Sequence, residues 1–163
     1  LTLQEITIRR VERADLHLLD KALRALSADL GDPHPAGLAL LEQAGFGPTP
    51  AYYALIAQDH QAALCGAAMY SPAMSTTLAT TGVFVSDLWV ADAARGAGLG
   101  HRLLAQVAQD ANTRWNAGYL KLAVYHDASD ARRFYDRTGF EARTDETTML
   151  LRGPAFDALK GQI

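Results

Sequence analysis

The residues whose spacing carries the most chemistry are Arg95-Gly96-Ala97-Gly98-Leu99-Gly100-His101, which follow an apolar stretch ending at Val90. Three alternating glycines ahead of a helical pattern leave successive main-chain N–H groups without a partner inside the helix, and with no Cβ in front of them. Together with the positive end of the helix dipole, such groups hold an anion, phosphate above all. Arg95 adds a guanidinium that can fork onto phosphate oxygens. The competing reading is a glycine-rich connection that only turns tightly. Two nucleotide motifs do not fit. His101-Arg102 follows Gly100 where a phosphate loop needs Lys-Ser/Thr, and Gly96-x-Gly98-x-Gly100 lacks the spacing of a dinucleotide fingerprint.

Upstream of this turn, Asp87 sits among Val85, Leu88 and Val90. A carboxylate in such company is not there for packing alone, unless it is an edge aspartate paired with an arginine. His126 stands just beyond the next apolar segment. Asp29, Asp32 and His34, with Glu42 after them, crowd one connection and read either as an acidic funnel or as a solvated polar loop. Tyr52, Tyr53 and Tyr70 fall on strand patterns, which favours packing over lining a cleft. The single cysteine, Cys65, permits neither an internal disulfide nor a thiolate metal cluster and reads as a small buried hydrophobe. No metal site is expected.

The elements that must position these residues follow from periodicity. Glu5 to Arg9 alternates and predicts a first strand. Leu16, Leu19, Leu23, Leu26 and Leu30 recur at helical spacing and stop at Gly31. Asp32-Pro33-His34-Pro35 is a turn, and a short helix is expected over Ala36 to Ala44. Strands are expected over Tyr52 to Gln58 and Ala63 to Tyr70, with Asp59-His60 as their hairpin turn. Ser71 to Thr77 reads as a surface loop. Val83 to Val90 is an apolar strand, and Leu99, Leu103, Leu104, Val107, Ala108 and Ala111 form a helical stripe. Leu120 to Val124 predicts a strand, and Ala131, Phe134, Tyr135 and Thr138 share one helix face. Met149 to Leu151 is expected to close the sheet, with 153–163 a weakly specified tail. The order gives an α/β fold with a mixed, mostly antiparallel sheet of six or seven strands and about four helices, in one domain over 1–163.

Composition narrows the function. The chain has 163 residues, 49% of them hydrophobic, with 15 basic and 18 acidic residues and a net charge of −3. That apolar share supports a core and excludes a disordered tail. The charge excludes a strongly basic nucleic-acid binder. The longest apolar run, Ala62 to Tyr70, falls well short of the ~20 residues of a membrane span, and the first residues lack a secretory pattern. A soluble, cytoplasmic protein without membrane or nucleic-acid partner is expected.

Arg95-x-x-Gly98-x-Gly100 after an apolar strand resembles the acetyl-CoA signature of the GNAT superfamily of N-acetyltransferases. A second block, Val124 to Phe140, is similar to that family's later strand–helix segment, with Ala131, Tyr135, Gly139 and Phe140 matching without a gap. The two blocks together span roughly residues 82–140. The resemblance implies acetyl-CoA as co-substrate. Arg95, Gly96, Ala97, Gly98, Leu99, Gly100 and His101 would hold its pyrophosphate, and Leu88, Trp89 and Val90 its pantetheine arm. Ala128, Ala131 and Phe134 would lie along the cofactor, and Tyr135 would donate a proton to the departing sulfur. Ala128 stands where the family often has asparagine, so that either Asp127 or Ser129 substitutes for it or the contact is missing. Ser86 stands where some relatives place a glutamate base.

Acyl transfer to an amine requires removing a proton from a group whose usual pKa is about 10.4. Asp87 is then the candidate base, through water, or a clamp for a cationic acceptor; His126 is a second base candidate. In the resemblance the first two helices and their loop line the acceptor site, which brings in Asp29, Asp32 and His34 and favours a small cationic amine. A protein N-terminus or lysine is the enzymatic alternative, and an acyl-CoA-binding sensor without turnover is the alternative of another class. Relatives dimerise through sheet edges or C-terminal strands, and Thr147 to Arg152 is the corresponding edge for a homodimer.

Overall fold

The computed structural model describes residues 6–162; Glu5, at the start of the first expected strand, lies outside them. By its internal contacts the chain divides into two compact units, residues 1–124 and 125–163. The first unit runs β1 (Thr7–Arg10), a 3-10 turn (Arg13–Asp15), α1 (Leu16–Leu30), α2 (Leu38–Phe46), β2 (Tyr53–Gln58), β3 (Leu64–Ser75), β4 (Thr80–Val90), a 3-10 turn (Asp92–Ala94), α3 (Leu99–Trp115) and β5 (Leu120–Leu122). Its sheet has the order β1-β2-β3-β4-β5. The first three pairings are antiparallel, and β4–β5 is parallel, as a crossover through α3 requires.

Sheet alternation decides which helix covers which face. Ala67 on β3 belongs to a core cluster with Leu16, Leu19 and Leu23 of α1, Leu41 of α2 and Ile56 of β2. A Cβ on its neighbour Gly66 would instead meet Leu99 and Leu103 of α3. Successive strand residues point to opposite faces, so α1 and α2 cover one side and α3 the other. Each fully buried leucine here, such as Leu19, Leu99 or Leu103, contributes about 2 kcal/mol through its burial.

In the second unit α4 (Ser129–Thr138) ends at Gly139, and α5 (Pro154–Lys160) begins with proline in its first turn. The α/β class and the mixed, mostly antiparallel sheet are as expected, but the described residues form five strands rather than six or seven, with five α-helices. The expected closing strand is missing. Met149 and Leu150 are 86% and 78% exposed, and no strand pairs with them among the described residues. Their types suit a strand, yet a strand exists only through a neighbour's hydrogen bonds. The homodimer edge expected over Thr147 to Arg152 is accordingly not a strand. The weakly specified tail contains α5, and the expected loop at 71–77 is largely strand, because β3 and β4 form a long hairpin paired out to Ser75 and Thr80.

Candidate functional site

The long apolar run of β4 resolves into two alternations joined by a bulge. Met69 pairs with Asp87 and Tyr70 with Val85, so Ser86 is the extra residue; its hydroxyl donates to the Met69 carbonyl at 3.3 Å. Asp87 and Trp89 therefore share the α1 face with Met69 and Ala67. Val83, Val85 and Leu88 share the α3 face with Tyr70 and Ala68. The parallel ladder with β5 runs only from Val83–Leu120 to Val85–Leu122. Beyond it, among the described residues, Leu88, Trp89 and Val90 have no strand partner on that side, which leaves main-chain donors and acceptors at the edge.

The glycine turn follows directly. Gly96 and Gly98 have φ of +75° and +83°, backbone that a side chain at Cβ rarely tolerates. Gly98 is the N-cap of α3, and no side chain caps this terminus. Helix geometry leaves the first N–H groups, at Leu99, Gly100 and His101, without intrahelical acceptors. The side chain of Leu99 itself points into the core, 1% exposed, so it offers a ligand no side-chain surface. Ala97 is half-buried and His101 exposed. Arg95 is already occupied. Its Nε donates to the Val90 carbonyl at 3.0 Å, Nη2 reaches Asp29 at 2.5 Å and Nη1 reaches Asp92 at 2.6 Å. An uncapped helix N-terminus, two glycines at positive φ and an adjacent strand edge fit a pyrophosphate followed by an amide-bearing arm.

On the α1 face, burial pushes the Asp87 carboxyl above its usual range, while the nearby Ser86 hydroxyl and the charge of His34 oppose the rise. The charge of His34 thus reaches Asp87 although 53 positions separate them. His34 is held by Ser27, whose hydroxyl lies 3.0 Å from Nδ1, and its Nε2 faces Asp20 Oδ1 at 3.6 Å. Both of those facing atoms are buried without a hydrogen-bond partner among the described residues. The other Asp20 oxygen takes Arg24 Nε at 2.7 Å. Sequence reasoning missed Asp20. Its signal is the polar series Asp20, Arg24, Ser27 at i, i+4 and i+7 of α1, beside the leucine stripe.

The expected acidic funnel does not form as one group. His34 sits beside Asp20, Asp29 turns to Arg95, and Glu42 pairs with Arg13. Asp32 is exposed, its main-chain N–H closing α1 on the Ser27 carbonyl. A cavity of about 310 Å³ opens between α1 and the end of β4, bounded by Ala28, Asp29, Trp89 and Asp92.

In the second unit, Ala128 is the N-cap of α4, with Ala131, Phe134 and Tyr135 half-buried along it. The Tyr135 ring packs edge-on against Phe134 and Phe140, at 5.1 and 5.4 Å between centroids. Burial raises its phenol above the usual value, so the hydroxyl stays protonated near neutral pH, the form an acid needs. His126 is exposed in the preceding turn. Of the three tyrosines assigned to packing, Tyr52 donates to the Leu41 carbonyl at 2.8 Å, and burial pushes its phenol up to about 12. Tyr70 is buried, and Tyr53 stacks beside it.

Residues 17–140 match the model of the acetyltransferase (GNAT) family. No curated protein matches the chain significantly. Among solved structures, an integron cassette protein from the mobile metagenome of V. cholerae superposes with a TM-score of 0.77 at 22% identity, covering 96% of this chain and 98% of that one. A ribosomal-protein-alanine N-acetyltransferase from Brucella melitensis biovar Abortus 2308 gives 0.70 at 20% identity over 91% and 99%. An aminoglycoside N-acetyltransferase in complex with CoA gives 0.73 at 18% identity over 91% and 95%. At these identities the likeness is one of fold.

Proposed function

Because the chain belongs to the GNAT family of acetyltransferases and is an acyltransferase, we propose that it acetylates a small cationic primary amine by direct transfer from acetyl-CoA in a ternary complex. The observation that carries the reading is Asp87, half-buried on β4 just ahead of the glycine turn, with the charge of His34 acting on it. Acetyl-CoA supplies an activated acyl group on a thioester. The Gly96–His101 N–H groups and Arg95 bind its pyrophosphate, and the free edge of Leu88, Trp89 and Val90 takes the pantetheine amides. Ionised Asp87 attracts the ammonium form of the acceptor and takes up, directly or through water, the proton that must leave before nitrogen can attack. Asp20 stands behind His34 and adds a second negative group to that face. The resemblance assigns Tyr135 the proton that the departing sulfur receives. Ala128, Ala131 and Phe134 belong to the same part of the reading. In it, the chain acts as one cytoplasmic acetyltransferase domain over 1–163.

One structural neighbour carries the name of a ribosomal-protein-alanine acetyltransferase and another that of an aminoglycoside acetyltransferase, so the test panel contains both chemistries. Acetyl-CoA consumption is measured with polyamines, an aminoglycoside, amino acids and an alanyl N-terminal peptide, for the wild type and Tyr135→Phe. Turnover confined to small cationic amines, lowered about a hundredfold in Tyr135→Phe, is the expected result. Preference for the peptide replaces the acceptor assignment. CoA binding with no transfer to any amine makes the protein a sensor. Equal rates in both proteins remove Tyr135 from the acid role.

A further inference from the structure

Acyl transfer leaves one cavity of the first unit unused. It measures about 200 Å³ and is walled by Arg10, Phe46, Tyr52, Tyr53, Tyr70 and Arg114. It lies at the Tyr53–Tyr70 pair of the β2–β3 ladder. The glycine turn instead follows Val90, which pairs with Gly66, farther along β3.

The charges around it do not balance locally. Asp110 of α3, 4% exposed, accepts hydrogen bonds from the Tyr70 hydroxyl at 2.6 Å, from Arg114 Nε at 2.8 Å and from Arg10 Nη2. These donors outweigh burial and hold its carboxyl below the usual range, so it stays ionised. One carboxylate thus serves two guanidiniums and leaves one positive charge over, in a chain whose net charge is −3. Arg13, above the Phe46 ring, does not change this sum, because it pairs with Glu42. Arg10 lines the cavity with a side chain 55% exposed, and its guanidinium carries more N–H groups than Asp110 takes.

The walls are flat and aromatic. Tyr53 lies 6.2 Å from Tyr70 and 5.2 Å edge-on from Trp115, and the Arg114 guanidinium sits 4.5 Å over the Tyr53 ring. Aromatic walls with a cation at the mouth complement a flat anion. Pockets for drug-sized ligands run from about 300 to 1,000 Å³, so this one admits a single ring rather than a nucleotide. We propose that the cavity is a second ligand site, for a small aromatic carboxylate whose ring packs on the tyrosine wall and whose carboxylate pairs with Arg10.

Benzoate is the probe, with neutral benzamide and cationic benzylamine as controls, titrated into the full chain by calorimetry and by Trp115 fluorescence. Benzoate is expected to saturate the site, about tenfold more tightly than benzamide, with benzylamine not binding and with no competition from CoA. Arg10→Gln should weaken benzoate about tenfold and leave benzamide unchanged. Arg114 still serves Asp110 in that variant, so the fold is retained, which the melting temperature verifies. Tyr53→Leu should weaken both ring ligands. Equal binding of benzoate and benzamide, benzoate affinity unchanged in Arg10→Gln, displacement by CoA, or no saturable benzoate binding to the wild type would each overturn the proposal.

Discussion

The glycine turn at residues 95–101 and the face that carries Asp20, His34 and Asp87 are made of different material. The turn is main chain. Its donors are consecutive N–H groups, aimed by two glycines at positive φ and by the start of α3. The α1 face is side chain. It sets Asp20 of α1 beside His34 of the α1–α2 connection, and the charge of His34 reaches Asp87 on β4. A site of the first kind travels with a short stretch of sequence and withstands most changes to neighbouring side chains. A site of the second kind exists only when three elements pack correctly, and it gains from burial the electrostatic leverage that exposed groups lack.

The largest effect expected from this contrast is on the side-chain site. Asp87→Asn should lower kcat/KM for the amine by about 10²–10⁴-fold while leaving CoA binding intact in calorimetry. The pH dependence has a definite sign. Burial raises the Asp87 pKa, and the working form is the ionised one, so kcat/KM should rise with pH through a value above the usual 3.8, a limb that the variant loses. The same raised pKa makes the folded state favour the protonated acid, so stability falls as pH climbs through that value. Asp87→Asn should therefore melt slightly higher than the wild type at neutral pH, less active and more stable at once.

Asp20→Asn tests whether the cluster acts as a unit. The expectation is about a tenfold rise in KM for a cationic acceptor with kcat little changed, and no change with acetyl-CoA as the varied substrate. A fall in both kcat values instead would make Asp20 structural. On the main-chain side, Gly98→Ala must hold a Cβ at φ +83°, at a cost of about 1–2 kcal/mol, or several degrees of melting temperature. KM for acetyl-CoA should rise several-fold and the acceptor KM should not move. The smallest effect concerns Arg95, shared between Asp29 and Asp92. Asp92→Asn frees part of that guanidinium, and CoA should bind about two- to threefold more tightly at low salt, the gain fading as salt screens an exposed charge.

The legibility of each region follows the same division. The 95–101 turn was readable as a turn because a helix start built on glycines at positive φ is local, needing only the glycines and the helix behind them. Asp87 was readable as a charge out of place in an apolar strand, but its face was not. The bulge at Ser86 shifts the alternation, and a bulge in an unbroken apolar run leaves no periodic trace. Asp29 and His34 look equivalent in sequence. In the fold the C-terminal end of α1 gives Asp29 to Arg95 and the following connection gives His34 to Asp20. Asp20 was hidden because an aspartate beside a leucine stripe normally marks a solvated helix flank. Met149 to Leu151 misled in the opposite direction, since strand-forming residue types say nothing about whether a partner strand is present.

What the sequence alone determined is what repeats at short range: the helical leucines of α1 and α3, the strand patterns, the turn residues and the two motif blocks that carry the family resemblance. What only the tertiary structure decided is which distant groups share a space, His34 with Asp20, Arg95 with two carboxylates, and Arg10 with Arg114 around one buried Asp110. The physical reason is range. Backbone conformation and helix periodicity act over a few residues. The charge and burial that tune a carboxylate depend on neighbours that chain order does not name.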